Sequence, residues 1–517
     1  MFSLNFKKDP NEDINEDFVI ENRENEDIII FNNIDEFCEF MYHNLSEFSK
    51  SVNENYETAL NIIENISKVH NQDLSSYYSE ESLPNIFTET NFVNLAIEIL
   101  NSPSRDILSS QNESLESQVL TEVLKILNIA AQYSSSICKI IFEAKFMEII
   151  TNPELEETLS PHNFLETIQI LEHIYKFCPL DVLIASYNCG FIDRLLERIN
   201  HEIKASPEQN RSDQIICTCL STYFSRSLAI GNEKLREKAY LFISLIPKLN
   251  FDSYLPVMRL LYFLLTILDQ DSQPFMSIRD LLKLNNEGEL IMLSIIPMVN
   301  TNNDELRGIA TNICLILANS INVVSPRIIY SFMIKAPWSA MTNTIVTKEY
   351  DNADKLLLII KNLLRLDFLV NVPPKHQMPE KFFQKFTQFG IFESIFVNFE
   401  NISYKCRETV VEIILLYIRY CMKFDYTEIR LRYIFDKNII SHCIEFITDE
   451  NINISKDIIG TLYKFLDYLS RTYQQIYEFA LEKFREWDIG DQLLLFEGSE
   501  IDEIASSLYS MIYPEEE

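Results

Sequence analysis

Glycine is scarce, with 8 in 517 residues. Dinucleotide-binding and phosphate-loop architectures need Gly-rich turns, and β-rich folds usually carry more glycine than this. The scarcity favours helices joined by short turns. Tryptophan occurs at Trp338 and Trp487 alone. Of the ten cysteines only Cys217 and Cys219 sit close together, and no CxxC occurs. Most, such as Cys138, Cys314 and Cys421, fall at apolar helical positions, which reads as reduced, buried thiols. The seven histidines are far apart in sequence, and no Cys/His pair has zinc-finger spacing. GxGxxG, GxxxxGK with a following Ser or Thr, GxSxG and HExxH are all missing. The longest apolar stretch, Leu255 to Leu268, is broken by Arg259 and is too short to span a bilayer. Met1-Phe2-Ser3-Leu4 runs into Lys7, Lys8 and then acids, without an apolar run of signal-peptide length. The expectation is a cytoplasmic chain, with the nucleus as alternative. It is expected to have no membrane span, cofactor, metal site or catalytic residues. A catalytic site assembled from distant parts of the chain is the alternative.

Basic residues are also few, 44 against 77 acids, for a net charge of −33. A polyanionic surface repels phosphate backbones, so no nucleic-acid partner is expected. The charge has two readings: a solvated acidic face that keeps the chain soluble, or attraction of basic partner segments. Among the basic groups, Arg194 and Arg198 share a face with Lys204 and Arg211 beyond, and Arg419, Lys423, Arg430 and Arg432 have Glu412, Asp425 and Glu428 nearby to neutralise them; both groups read as solvated ion pairs. A small docking patch for an acidic peptide is the alternative.

What is present is a repeat. Apolar residues make up 47%, enough for continuous burial. Ile126-Leu127-Asn128-Ile129-Ala130-Ala131, a polar break at Tyr133 to Ser136, then Ile137, Ile140 and Phe146-Met147 form one copy. Ile168, Ile170-Leu171, Ile174, a break at Phe177 to Pro179, then Val182, Leu183 and Gly190-Phe191-Ile192 form the next, about 44 or 45 residues on. A second pair lies later: Gly390-Ile391-Phe392 matches Asn438-Ile439-Ile440, and Val410-Val411 matches Ile458-Ile459, both offset by about 48. A period of roughly 40–47 is that of stacked helical repeats.

The remaining chain divides by pattern. Residues 1–33 read as a disordered acidic tail, with a short apolar patch at Ile28-Ile29-Ile30 that folds back or docks. Residues 34–367 read as the first run of repeats. It opens with helices from about Asp35 and about Asn53, and a polar loop from His70 to Pro84 precedes a helix over Phe92 to Leu100. Further helices are expected over Glu233 to Ile246, Tyr254 to Leu268, Met276 to Leu284 and Glu289 to Met298. Asp213 is expected to cap a helix through Tyr223. Asn303-Asp304 and Ser325-Pro326 start others. Residues 368–379, holding Pro373-Pro374 and Pro379, read as a break or hinge. Residues 380–513 read as a second run, with helix starts at Ser403 and Asn453, and 514–517 as an acidic stub. Trp338 is expected in a turn, with packing the first reading of both tryptophans and partner anchoring the second.

Leu124 to Ile150 resembles an armadillo repeat: Ile126 to Ala131 looks like that family's third helix, and Phe146 to Ile150 like the start of a unit. Gly190 to Leu196 resembles the same start, with the family's glycine in place. The resemblance implies an all-α, armadillo/HEAT-like right-handed superhelical solenoid whose third helices line a groove for extended peptides. By position, it implies that Lys125, Asn128 and Gln132 in one unit, and Gln169, Glu172 and Lys176 in the next, face that groove. Nuclear-import adaptors of the family carry Trp with Asn four residues later. Here Trp338 precedes Asn343 by five, which argues against binding of nuclear-localisation peptides in that manner. The expected function is a non-catalytic scaffold for protein or peptide partners. An adaptor for basic peptides and a regulatory subunit positioning a kinase or phosphatase are the alternatives.

Overall fold

Helices begin where the chain supplies a side-chain cap, and in several places where it takes one residue into the left-handed region. The computed structural model describes residues 31, 33–70, 82–101, 115–153, 155, 159–205, 210–228, 233–249, 251–267, 276–277, 280–281, 287–320, 336–347, 353–369, 378–423 and 428–514. Among the described residues all regular structure is helical, with no strand. The expected tail apart from Phe31 and Asn33, the stub apart from Pro514, the helix from Ser325 and most of Met276 to Leu284 lie outside them. So do residues 370–377 of the proline loop.

The chain forms two compact units, dividing between Glu166 and Thr167. In the first, Asn33 caps helix Ile34–Ser51 by accepting from the Glu36 amide at 2.9 Å. Phe37, Met41, Leu45 and Phe48 form its buried stripe. Helix Tyr56–His70 packs beside it and against Leu115–Tyr133. Ser134 then caps Ser135–Glu143, and Phe146–Ile150 follows. Between Tyr56–His70 and Leu115–Tyr133, Leu83–Glu89 is helical where a loop was expected to reach Pro84. Pro84 sits in its first turn, where a missing N–H is harmless, and Leu83, Ile86 and Phe87 are buried. The helix is too short for a period to show.

In the second unit one long helix per repeat packs on the next. Asn210–Ser227 lies on Phe251–Thr266, then Asp304–Asn319, Ala353–Leu369, Tyr404–Lys423, Ile452–Thr472 and Asp502–Ile512 follow in order. This succession of helix-pair layers is an all-α solenoid of armadillo/HEAT type. Tyr404–Lys423 shows why such a chain needs no central core: Val410, Val411 and every residue from Ile413 to Ile418 are buried between neighbours.

Several boundaries differ from expectation. Asp213 lies in the first turn of Asn210–Ser227 and is not its cap. Asn451 caps Ile452–Thr472, two residues before the expected Asn453. The helix expected to run to Ile246 stops at Ile243, and Ile246–Lys248 is a 3-10 turn around Pro247. Trp338 begins helix Trp338–Thr347 and does not sit in a turn. It is buried, edge-on to Phe386 at 4.7 Å. Asn303 does cap Asp304–Asn319, accepting from the Leu306 amide at 2.9 Å. Eight of the ten free cysteines are buried, and burial pushes the thiol of Cys178 up to about 11 and that of Cys314 to about 12.

Candidate functional site

The long helices of successive repeats are tied to one another by bonds between polar side chains. In the first unit, Thr121 Oγ1 donates to Asn163 Oδ1 at 2.8 Å, and Asn128 Nδ2 donates to Glu166 Oε2 at 2.8 Å. In the second, Thr222 Oγ1 donates to Glu172 Oε1 at 3.0 Å, and Arg226 donates to the Tyr175 carbonyl at 2.6 Å. Arg259 forms a two-pronged pair with Glu305 at 2.6 Å on each arm. That pairing holds the Glu305 carboxyl below its ordinary range, chiefly through the hydrogen bond from Arg259. Glu412 then accepts from Lys361 and from Arg365, the latter at 3.0 Å. Arg419 reaches Asp457 and, at 2.7 Å, Thr461 Oγ1.

The six residues expected to face a groove fall into two kinds. Asn128 and Glu172 bond to the neighbouring helix, and Glu172 is buried. Glu172 also pairs with Lys176 at 2.9 Å and lies 3.2 Å from His173 Nδ1. Burial lowers the His173 pKa to about 4, so the ring is neutral at pH 7. Lys125 pairs with Glu122 of its own helix at 2.7 Å and keeps about a third of its side chain in solvent. Gln132 and Lys176 are exposed, and Gln169 is half-buried. Lys125, Asn128 and Gln132 belong to the first unit and Gln169, Glu172 and Lys176 to the second.

The charge pairing differs from the sequence reading in its partners. Glu412, expected to neutralise Arg419 within one group, instead serves the preceding long helix, and Arg419 serves the following one. Sequence reading missed this because the partners lie about 40–50 residues apart. The repeat offset itself is the signal that could have found them.

Among the described residues no arrangement of nucleophile, base and charge-stabilising donor is found, and one group of side chains, Glu400, His442 and Glu445, is spaced to hold a metal ion. No helix among them is long and apolar enough to cross a membrane.

No family model matches the sequence, and no curated protein does. Among solved structures the chain is similar to a crystal structure of an engineered protein, at TM-score 0.50 and 11% identity, covering 91% of this chain and 98% of that one. It is also similar to a structure from a study of a phosphorylation switch controlling the interaction between cadherin and beta-catenin, at TM-score 0.49 and 11% identity, covering 94% and 93%. At such identity likeness concerns the fold alone.

Proposed function

We propose that the protein is a non-catalytic scaffold that holds extended segments of partner proteins along the polar stripes of its long helices. The observation that carries this reading is the stripe itself. Long helices such as Tyr404–Lys423 are buried on their flanks, yet leave a row of polar side chains in solvent. On Tyr404–Lys423 these are Lys405, Glu408, Glu412, Arg419 and Lys423, wholly or partly exposed. Hydrogen-bonding groups spaced along consecutive helices suit a peptide in extended form, whose backbone needs donors and acceptors at intervals. Asn128 and Glu172, engaged with neighbouring helices, set the spacing. Lys125 and Gln132 in the first unit, and Gln169 and Lys176 in the second, supply contacts. The net charge of −33 favours basic partner segments, with affinity that falls as salt rises.

Photo-crosslinking tests this. A benzoylphenylalanine is placed in turn at Gln132 and Lys176 on long helices, and at the exposed positions Lys139 and Glu197 on the helices that lie between the long ones in sequence. A partner recovered from Gln132 or Lys176 and not from the others supports the reading. Partners recovered only from Lys139 or Glu197 contradict it.

A further inference from the structure

Where the 3-10 turn Phe399–Asn401 meets helix Ile439–Ile444, three ligand-type side chains converge. Glu400 comes from the turn, His442 from the helix, and Glu445 caps that helix three residues on. One ligand atom from each lies within 4.8 Å of the other two. We propose that Glu400, His442 and Glu445 form a binding site for a divalent transition-metal ion of the zinc class.

Each side chain is held in a way that suits this. The His442 ring stacks on Phe399 with centroids 4.2 Å apart and planes 16° apart. That contact fixes the direction of Nδ1, which is buried without a hydrogen-bond partner. Nδ1 lies 3.9 Å from Glu400 Oε1, beyond hydrogen-bonding distance. Arg407 takes the other side of Glu400: its Nη2 donates to the Glu400 carbonyl at 2.8 Å and lies 3.2 Å from Oε2. One carboxylate oxygen is thereby oriented by a guanidinium while the second faces the imidazole, an arrangement common around metal ligands.

Electrostatics favour a cation in the gap. Two carboxylates and one guanidinium leave a net negative charge beside the imidazole. An ion between the carboxylates removes their repulsion. Zinc binds histidine nitrogen and carboxylate oxygen at about 2.0–2.2 Å, so ligand atoms around it sit about 3.4 Å apart. The three groups must close by up to about 1.4 Å, and Glu400 and Glu445 are exposed enough to rotate. A nitrogen with two oxygens selects a zinc-class ion over magnesium or calcium, which take oxygen ligands.

The test is calorimetric titration of zinc chloride into the full chain after chelator treatment, repeated for His442→Ala and Glu445→Gln. Visible absorption of added cobalt(II) reports ligation independently. Glu445→Gln changes an exposed side chain, so it keeps the test valid even where His442→Ala disturbs folding. The expected result is one site of micromolar affinity, weakened at least tenfold by either substitution, with loss of the cobalt bands. Absence of binding overturns the proposal. So does a site unchanged by Glu445→Gln, because the ion then sits elsewhere on the acidic surface.

Discussion

Six residues in the left-handed region mark the starts of helices: Asn91, Lys145, Gly190, Gly390, Asn438 and Asp488, with φ between 50° and 75°. Each immediately precedes a helix whose first residues are buried. Gly190 and Gly390 were legible as such points because glycine adopts this conformation without cost. Lys145 was not, since lysine carries no signal for it; only its alignment with Gly190 about 45 residues later does. Left-handed backbone costs an ordinary residue on the order of 1 kcal/mol. Lys145→Gly is therefore expected to stabilise the first unit by about 0.5–1 kcal/mol. Gly390→Ala is expected to destabilise the second by about 1 kcal/mol. That cost is backbone strain, because the nearest atom to an added Cβ is 3.9 Å away. Shifts in urea midpoint check both, and opposite signs would contradict the assignment.

His173 offers a second residue-scale prediction. Its pKa falls from 6.5 to about 4, chiefly by burial, against the pull of Glu172. A depressed histidine pKa means that the unfolded chain binds the proton first. Its contribution to stability is therefore complete above about pH 6.5 and is lost as pH falls toward 4, by about 3 kcal/mol in all. The C–H resonances of His173, assigned through His173→Gln, should titrate with a midpoint near 4. A midpoint near 6.5 would place the ring in solvent.

At the scale of elements, long amphipathic helices were legible and their lateral bonds were not. Phe37, Met41, Leu45 and Phe48 announce Ile34–Ser51 through their spacing. Helix Ala353–Leu369 shows no such contrast: apolar residues crowd Leu356 to Ile360 on adjacent faces, as befits an element covered from two sides. Leu83–Glu89 escaped because fewer than two turns leave no period to read. The rungs between long helices make a prediction of their own. Glu412 is three-quarters buried and serves both Lys361 and Arg365. Glu412→Ala leaves the nearly buried Lys361 ammonium without its carboxylate, and is expected to cost about 2–3 kcal/mol. Asp436→Ala, which removes an exposed pair with Arg432 at 3.9 Å, should cost at most about 0.5 kcal/mol. Equal effects in chemical denaturation would show that the rungs are ordinary surface pairs.

At the scale of the molecule, the repeat period gave the fold class, because a helix triplet that cannot bury its own apolar faces must stack on the next. The metal-ligand group Glu400, His442 and Glu445 stayed hidden at this scale. Its members come from two repeats, and no local spacing joins Glu400 to His442. Of the positions that the resemblance placed along a groove, only the neighbouring helix shows that Asn128 and Glu172 bond sideways.

The central claim is that each repeat leans on its neighbours and on nothing further. Phe465 is fully buried in Ile452–Thr472, stacked on Phe435 with centroids 5.8 Å apart. Phe465→Ala should remove about 3–5 kcal/mol of local stability. Hydrogen exchange followed by mass spectrometry across the second unit is the direct measurement. The account predicts faster exchange in Tyr404–Lys423, Ile452–Thr472 and Asp502–Ile512, with Asp304–Asn319 unchanged. A uniform rise through the unit would reveal one shared core and contradict it.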